Sequence, residues 1–304
     1  MADTDRAGAA GGVRGDGTIR WQALRREAVA RLGAAGVPSP EVDARLIVQE
    51  ALGATPAELA AALGKPATVG GVARLDSMLA RREDGEPLQY VLGRWGFRTL
   101  DLHVDPRVLV PRPETEVVAG IAIEAANEMA TAGREVLVAD LGTGSGGIAL
   151  AVAAECPRAR VIATDVSVDA LAVARANLSG LGRPAVRVSL RSGHWFEGLP
   201  ESLRGGIDVL VSNPPYVADG EPLPPEVTDW EPEVALRAGP DGTECLEHLV
   251  DGAVGWLAPR GVLVLELAPH QAEVIAERAR RRGLSASVRQ DLAGRQRAVV
   301  ARRR

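Results

Sequence analysis

The stretch Glu135 to Leu150, EVLVADLGTGSGGIAL, decides the fold of this 304-residue chain. Val136 to Leu141 is an apolar run of strand length, and Gly142, Gly144 and Gly146 break it before a helical pattern begins near Ile148. Glycine permits positive φ and close backbone approach, and the amino terminus of the next helix offers unpaired N–H groups. The residues from Gly142 to Gly147 also satisfy G-x-G-x-x-G, the phosphate-side pattern of dinucleotide folds. By itself that pattern does not choose a ligand.

Working downstream, RVIATD places Asp165 at the end of the next strand, about twenty residues on, where a carboxylate can accept from both hydroxyls of a ribose. The alternative for Asp165 is an N-cap of the helix starting near Val168. Glycine loop and acidic strand end together predict an adenosine ligand, leaving NAD and S-adenosylmethionine open. Strand and helix patterns keep alternating: AVRVSL, IDVLVSN, a helix across Thr243 to Leu257, GVLVLEL, and a helix across Gln271 to Arg282. This implies an α/β fold, a mostly parallel sheet covered by helices on both faces. The closing runs LSASVRQD and RQRAVVARR, separated by Ala293-Gly294, predict an antiparallel final strand added at the sheet edge.

Upstream, Trp21, Leu24, Ala28 and Leu32, then Val42, Leu46, Ile47 and Leu52, Leu59 and Leu63, and Val72, Leu75 and Leu79 recur at helical spacing. Pro38, Pro56 and Pro66 punctuate them, as in a small helical bundle. Gln89 to Val104 reads as a hairpin around Gly93 and Gly96. These shifts divide the chain into a disordered leader over 1–18, a helical domain over 19–84, a hairpin linker over 85–112 and an α/β domain over 113–304.

A formal charge of −5 supplies no global basic field, which counts against a free duplex as the main substrate and against sequence-specific nucleic-acid binding. Cys156 and Cys245 stand apart without Cys-x-x-Cys context, and His103, His194, His248 and His270 show no metal spacing, so no metal is expected. The leader lacks the apolar core of a signal peptide and no uncharged apolar stretch reaches membrane-spanning length, so the expectation is a cytoplasmic protein.

The remaining motif is Ile207 to Tyr216, IDVLVSNPPY, a buried-strand pattern stopped by Pro214 and Pro215. A proline turn alone would explain it. At the carboxyl end of a strand in an open α/β sheet, however, it also presents an Asn amide, a free carbonyl and an aromatic ring where such sheets bind ligands. For a planar nitrogen acceptor, the Asn213 side-chain oxygen and the Pro214 carbonyl can each accept one N–H, orienting its lone pair toward a methyl donor, while Tyr216 packs on the flat face. In-line displacement at a methyl sulfonium needs this positioning more than a base. Hydride transfer gives Asn-Pro-Pro-Tyr no evident task. Trp195 in SGHWFEGL is a candidate wall for adenine, whereas Phe196 reads as core. The stretch Val217 to Pro240 is expected to border the substrate channel.

With these motifs assembled, the chain resembles the protein-(glutamine-N5) methyltransferases of peptide chain release factors, the HemK or PrmC family. The resemblance runs from Trp21 to the end through GEPLQYVLGRWGF, VLVPRPETE, DLGTGSGGIAL, WFEGL, VSNPPYV, EPEVALRAGPDG and DLAGRQRAVVARR. It implies a class I S-adenosylmethionine-dependent methyltransferase fold, Rossmann-like with a seven-stranded sheet. It also implies methyl transfer from S-adenosyl-L-methionine, leaving S-adenosyl-L-homocysteine, to the Gln of the Gly-Gly-Gln loop of class I release factors. By motif, Gly142, Thr143, Gly144, Ser145, Gly146, Asp165, Trp195 and Asn213 would bind cofactor, and Asn213, Pro214, Pro215 and Tyr216 would hold the substrate Gln. The position before Trp195, often acidic in the family, is His194 here. A ribosomal-protein glutamine methyltransferase would share every catalytic residue, a DNA or RNA amino-methyltransferase would need a basic surface, and a non-catalytic scaffold would not need Asn213 and Tyr216.

Overall fold

A computed structural model describes residues 18–130 and 133–304; the leader expected over 1–18 lies outside them except for Thr18. The chain divides into two compact units between Leu92 and Gly93.

The first unit holds α1 (Trp21–Ala34), α2 (Pro40–Leu52), α3 (Pro56–Ala62), α4 (Val69–Glu83) and α5 (Leu88–Leu92). Trp21, Leu24, Ala28 and Leu32 form the buried stripe of α1, as their spacing predicts. On α2 the buried stripe is Asp43, Ala44, Ile47, Val48 and Ala51, and Val42 is exposed. Of the expected stripe only Ile47 is fully buried, Leu46 and Leu52 are half-buried, and Ala44, Val48 and Ala51 complete the buried face. Asp43 is affordable there because Arg82 Nε donates to it at 2.8 Å, with both side chains buried. Gly71 on α4 is required by close approach: a Cβ there would stand 2.7 Å from the Trp21 ring. Residues 89–92, read as the start of a hairpin, are the helix α5 instead.

The second unit opens with the hairpin of β1 (Arg94–Phe97) and β2 (Leu100–His103), paired antiparallel. Then follow α6 (Pro113–Met129), β3 (Val136–Leu141), α7 (Gly147–Glu155), β4 (Ala159–Asp165), α8 (Val168–Gly180), β5 (Val188–Ser192), β6 (Ile207–Ser212), α9 (Pro225–Thr228), α10 (Glu244–Trp256), β7 (Leu257–Glu266), α11 (Ala272–Arg281), β8 (Leu284–Gln290) and β9 (Gln296–Arg303). The hairpin packs on α7 and α8, with Phe97 buried beside Gly147, so it belongs to this unit rather than standing between the two.

Seven strands form one sheet in the order β5-β4-β3-β6-β7-β9-β8. The first five are parallel, and β9 pairs antiparallel with both β7 and β8. The final strand is antiparallel as expected but is inserted between β7 and β8, correcting its expected place at the edge. Burial explains this: Ala298 to Ala301 are all buried, as an interior strand requires, while β8 alternates and tolerates exposure. Strand β6 is buried at every position and β3 at all but one. Their paired residues, such as Val138 opposite Val209, place the ends of β3 and β6 side by side.

Candidate active site

The carboxyl ends of β4, β3 and β6 are neighbours, and there the connections diverge: the chain leaves β3 for β4 on one side and reaches β6 on the other. This is the crevice in which open α/β sheets bind ligands. A cavity of about 390 Å³ occupies it, and Gly142, Asp165, Trp195 and Asn213 all line it.

On the β3 and β4 side the wall is made mostly of backbone. Gly142, Gly144 and Gly146 have φ of 72°, 55° and 87°, values open to glycine and strained for other residues. The N–H groups of Gly142 and Thr143 both donate to the Thr164 carbonyl at 2.9 Å, tying the loop to β4. Gly144 N donates to Asp165 Oδ2 at 2.8 Å and Ser167 N to Oδ1 at 2.9 Å, so the carboxylate is held by both oxygens. Burial pushes the Asp165 pKa upward and these backbone donors oppose it. Asp165 does not cap α8; Ser167 does, accepting from Ala170 N at 3.1 Å.

Thr143 and Ser145 also line the cavity, but Gly146 does not. Gly146 caps α7, and a Cβ on it would meet Leu150 and Ala174. Asn177 braces the loop from α8 by donating to the Ser145 carbonyl at 2.9 Å and to that of His103 at 3.0 Å. Beneath the loop lies Asp140, fully buried, accepting from Thr143 Oγ1 at 2.6 Å and Ala149 N at 3.1 Å. Its Oδ1 has no partner, and burial pushes its pKa up to about 7. A lone carboxylate inside an apolar strand was its only sequence signal.

The Trp195 ring closes over Gly142, where a Cβ would come within 3.2 Å of it. Its φ of 46° follows a tight fold-back in which a Cβ on Gly193 would stand 2.4 Å from Gly198. His194 lines the cavity beside Trp195, the two rings edge to face at 5.6 Å. Phe196 turns away and stacks on Trp256 at 6.0 Å in the core.

On the β6 side the wall is made of side chains. Asn213 Nδ2 donates to Thr115 Oγ1 in the first turn of α6 at 3.0 Å. Asn213 and Pro215 line the cavity; Pro214 is buried and Tyr216 lies off the lining. Instead of facing the cavity, Tyr216 packs on the core, its hydroxyl donates to Glu266 Oε1 at 3.3 Å, and its carbonyl accepts from Gln271 at 2.9 Å. Burial and the neighbouring Glu266 charge raise the Tyr216 pKa. Glu266, at the end of β7, is itself buried, and desolvation pushes it up to about 7 against the pull of Thr115 and Arg297.

Two further segments complete the cavity: Val108 to Arg112, and Pro232, Val234, Ala235 and Arg237 from the stretch expected to border the channel. Glu231 joins them, accepting from Val110 N at 3.1 Å and from Arg112. Thr115, Glu266 and Glu231 were missed by sequence reasoning. VLVPRPETE and EPEVALRAGPDG contain two of them, but nothing in their spacing says that they meet the Asn213 strand end.

Comparison with known proteins agrees with this architecture. The family described as PrmC N-terminal domain matches residues 23–93, and the methyltransferase small domain matches residues 125–225. The chain is 41% identical over 284 residues to the release factor glutamine methyltransferase of Deinococcus radiodurans, covering 92% of this chain and 97% of that one. It is 44% identical over 250 residues to that of Streptomyces coelicolor, covering 81% and 84%. Among solved structures, the hMettl16 catalytic domain in complex with the MAT2A 3′UTR hairpin 6 superposes with a TM-score of 0.51. Its identity is 14%, with 78% of this chain and 84% of that one covered, a likeness of fold alone.

Proposed function

The chain belongs to the release factor glutamine methyltransferases, and from that premise we propose that it methylates the side-chain amide N5 of the Gln in the Gly-Gly-Gln motif of class I release factors. The observation that carries this is the meeting of a glycine-built adenosine cradle with Asn213 in one cavity.

The cradle fits S-adenosyl-L-methionine. A Cβ at Gly142 would fill the space beneath Trp195, so the loop leaves room only for backbone and ligand there. Asp165, aimed by two backbone donors, keeps lone pairs for ribose hydroxyls. Gly142, Thr143, Gly144 and Ser145 would face the methionine and ribose portions, and Trp195, with His194 in place of an acid, would flank adenine. When bound, the cofactor supplies an electrophilic methyl on a good leaving group and departs as S-adenosyl-L-homocysteine.

An amide nitrogen is a poor nucleophile because its lone pair is delocalised. Asn213 Oδ1 and the Pro214 carbonyl each accept one of its hydrogens, which orients that lone pair and stabilises the positive charge that grows as the C–N bond forms and the S–C bond breaks. The released proton passes to water after transfer. Pro215 borders the substrate side chain, and Tyr216 acts from behind through Glu266 rather than on the flat face of the amide.

The helical unit, which carries no catalytic constellation, engages the body of the release factor. Among the described residues no helix is long and apolar enough to cross a membrane. A cytoplasmic location, where release factors work, completes the reading.

The test is transfer of labelled methyl to an intact release factor, to the same factor with its Gln replaced, and to an oligonucleotide. Label on the intact factor alone is the expected result. Label on the oligonucleotide alone would replace this reading with a nucleic-acid amino-methyltransferase, and in a parallel arm with ribosomal proteins, label there in preference to the factor would reassign the substrate.

A further inference from the structure

Asn213 can help only if it presents its oxygen to the substrate amide. Its side chain is nearly symmetric in shape, and presenting the NH₂ instead would set donor against donor and push the acceptor away. Something must therefore fix the amide's direction. The proline residues that follow fix the backbone and say nothing about χ2.

Thr115 Oγ1 lies 3.0 Å from Asn213 Nδ2. A hydroxyl both donates and accepts, so Thr115 alone does not set the direction either. Behind it stands Glu266, fully buried, which interacts with the Thr115 hydroxyl and receives the Tyr216 hydroxyl at 3.3 Å. Glu266 Oε2 is buried and accepts no fully formed hydrogen bond, so it has acceptor capacity to spare. An ionised carboxylate only accepts. Ionised, it is placed to accept a hydrogen bond from the Thr115 hydroxyl, which leaves the Thr115 oxygen to accept from Asn213 Nδ2 and turns Asn213 Oδ1 to the cavity.

We propose that Thr115, held between Asn213 and the buried Glu266, is a positioning residue that fixes the Asn213 amide with its oxygen toward the methyl-accepting nitrogen. This rests on the methyl-transfer reading of the same cavity. Thr115 lines the cavity, and in this role it works through Asn213. The groups facing Glu266 are Thr115 and Glu114 from α6, Tyr216 after β6 and Arg297 from β9. When Glu266 takes up a proton it becomes a donor, and the direction of the chain is no longer enforced. Turnover therefore carries an acid limb that belongs to Glu266, and removing Thr115 removes it.

The experiment is single-turnover methylation of an intact release factor by the full-length protein, with cofactor binding measured in parallel. Thr115→Val keeps the shape and deletes the hydroxyl. The transfer rate should fall ten- to a hundredfold with cofactor affinity changed less than about twofold, and the acid limb should flatten. Thr115→Ser should restore the rate to within about threefold. A Val variant that binds cofactor and transfers at the wild-type rate, or a Ser variant as impaired as Val, overturns the proposal. Should the Val variant fail to fold, Glu266→Gln decides: it preserves volume but adds a donor, and an unchanged rate with an unchanged acid limb refutes the chain. Asn213→Ala separates the two levels. If that variant also keeps its rate, the acceptor role itself has failed; if it is inactive while Thr115→Val is not, only the role of Thr115 falls.

Discussion

The two walls of the cavity are built by opposite means. At the ends of β3 and β4 the wall is main chain: two glycines at positive φ, Gly142 and Gly144, N–H groups pinned to Thr164 and Asp165, and an indole resting where a Cβ would otherwise stand. At the end of β6 it is a relay of side chains drawn from separate parts of the chain, with Asn213 bonded across 98 residues to Thr115 and Tyr216 across 50 to Glu266. A main-chain wall binds by shape and tolerates few substitutions. A side-chain relay sets direction, and each of its members can be altered without disturbing the backbone. The difference predicts that damage to the first wall appears in cofactor affinity and damage to the second in the transfer step.

The largest expected effect breaks the second wall. Asn213→Ala should lower the transfer rate by about 10²–10³-fold, the scale seen when one preorganised hydrogen-bond partner of a developing charge is lost. Equilibrium binding of S-adenosyl-L-methionine should stay within about twofold, and a matching loss of binding would erase the distinction between the walls. Next, Asp165→Ala should weaken cofactor binding by about 10–100-fold, the worth of hydrogen bonds to a charged group, with the rate at saturating cofactor little changed. A variant with normal affinity and poor turnover would exchange the roles of the two walls.

The third prediction treats the walls together, since each hides one carboxyl. Asp140 and Glu266 sit at about 7 in the folded protein against ordinary values of 3.8 and 4.5. A group with a raised folded pKa adds stability that is full below its unfolded value and lost as pH rises through the folded one. The melting temperature of the ligand-free protein should therefore fall by several °C as the pH rises from about 4.5 to about 7, and change little above that. Asp140→Asn and Glu266→Gln should each flatten part of that slope. Asp105 and Asp251, held at about 2 by their arginine partners, act only in the acid range and do not interfere. A flat profile would show that both carboxyls are ionised without penalty.

The smallest effect lies in the helical unit. Val69 is 89% exposed. Changing it to Asp should raise KM for an intact release factor a few-fold, on the order of 1 kcal/mol for a rim contact, and leave that for a short Gly-Gly-Gln peptide unaltered. Equal effects on both would deny the helices a docking role.

The first wall was legible because its parts are consecutive. Gly142 to Ser145 follow one strand and Asp165 ends the next, so spacing alone places them together. The antiparallel final strand was legible from Ala293-Gly294, but its insertion between β7 and β8 was not, since a turn fixes direction and not neighbour. Tyr216 was expected over the substrate because it follows Asn213. It turned inward because Glu266, at the end of the adjacent strand, offers its hydroxyl an acceptor in the core.

By itself the sequence determined the alternating strands and helices, the glycine cradle, the acidic strand end and the Asn-Pro-Pro-Tyr stop. Each is written in adjacent residues whose backbone preferences and periodicity act locally. Only the tertiary structure decided which way the Asn213 amide points, that Thr115 and Glu266 stand behind it, and that Glu231 fastens the segment over the cavity. Those depend on strand order and on side chains meeting across long stretches of chain, where burial and hydrogen-bond satisfaction choose the partners.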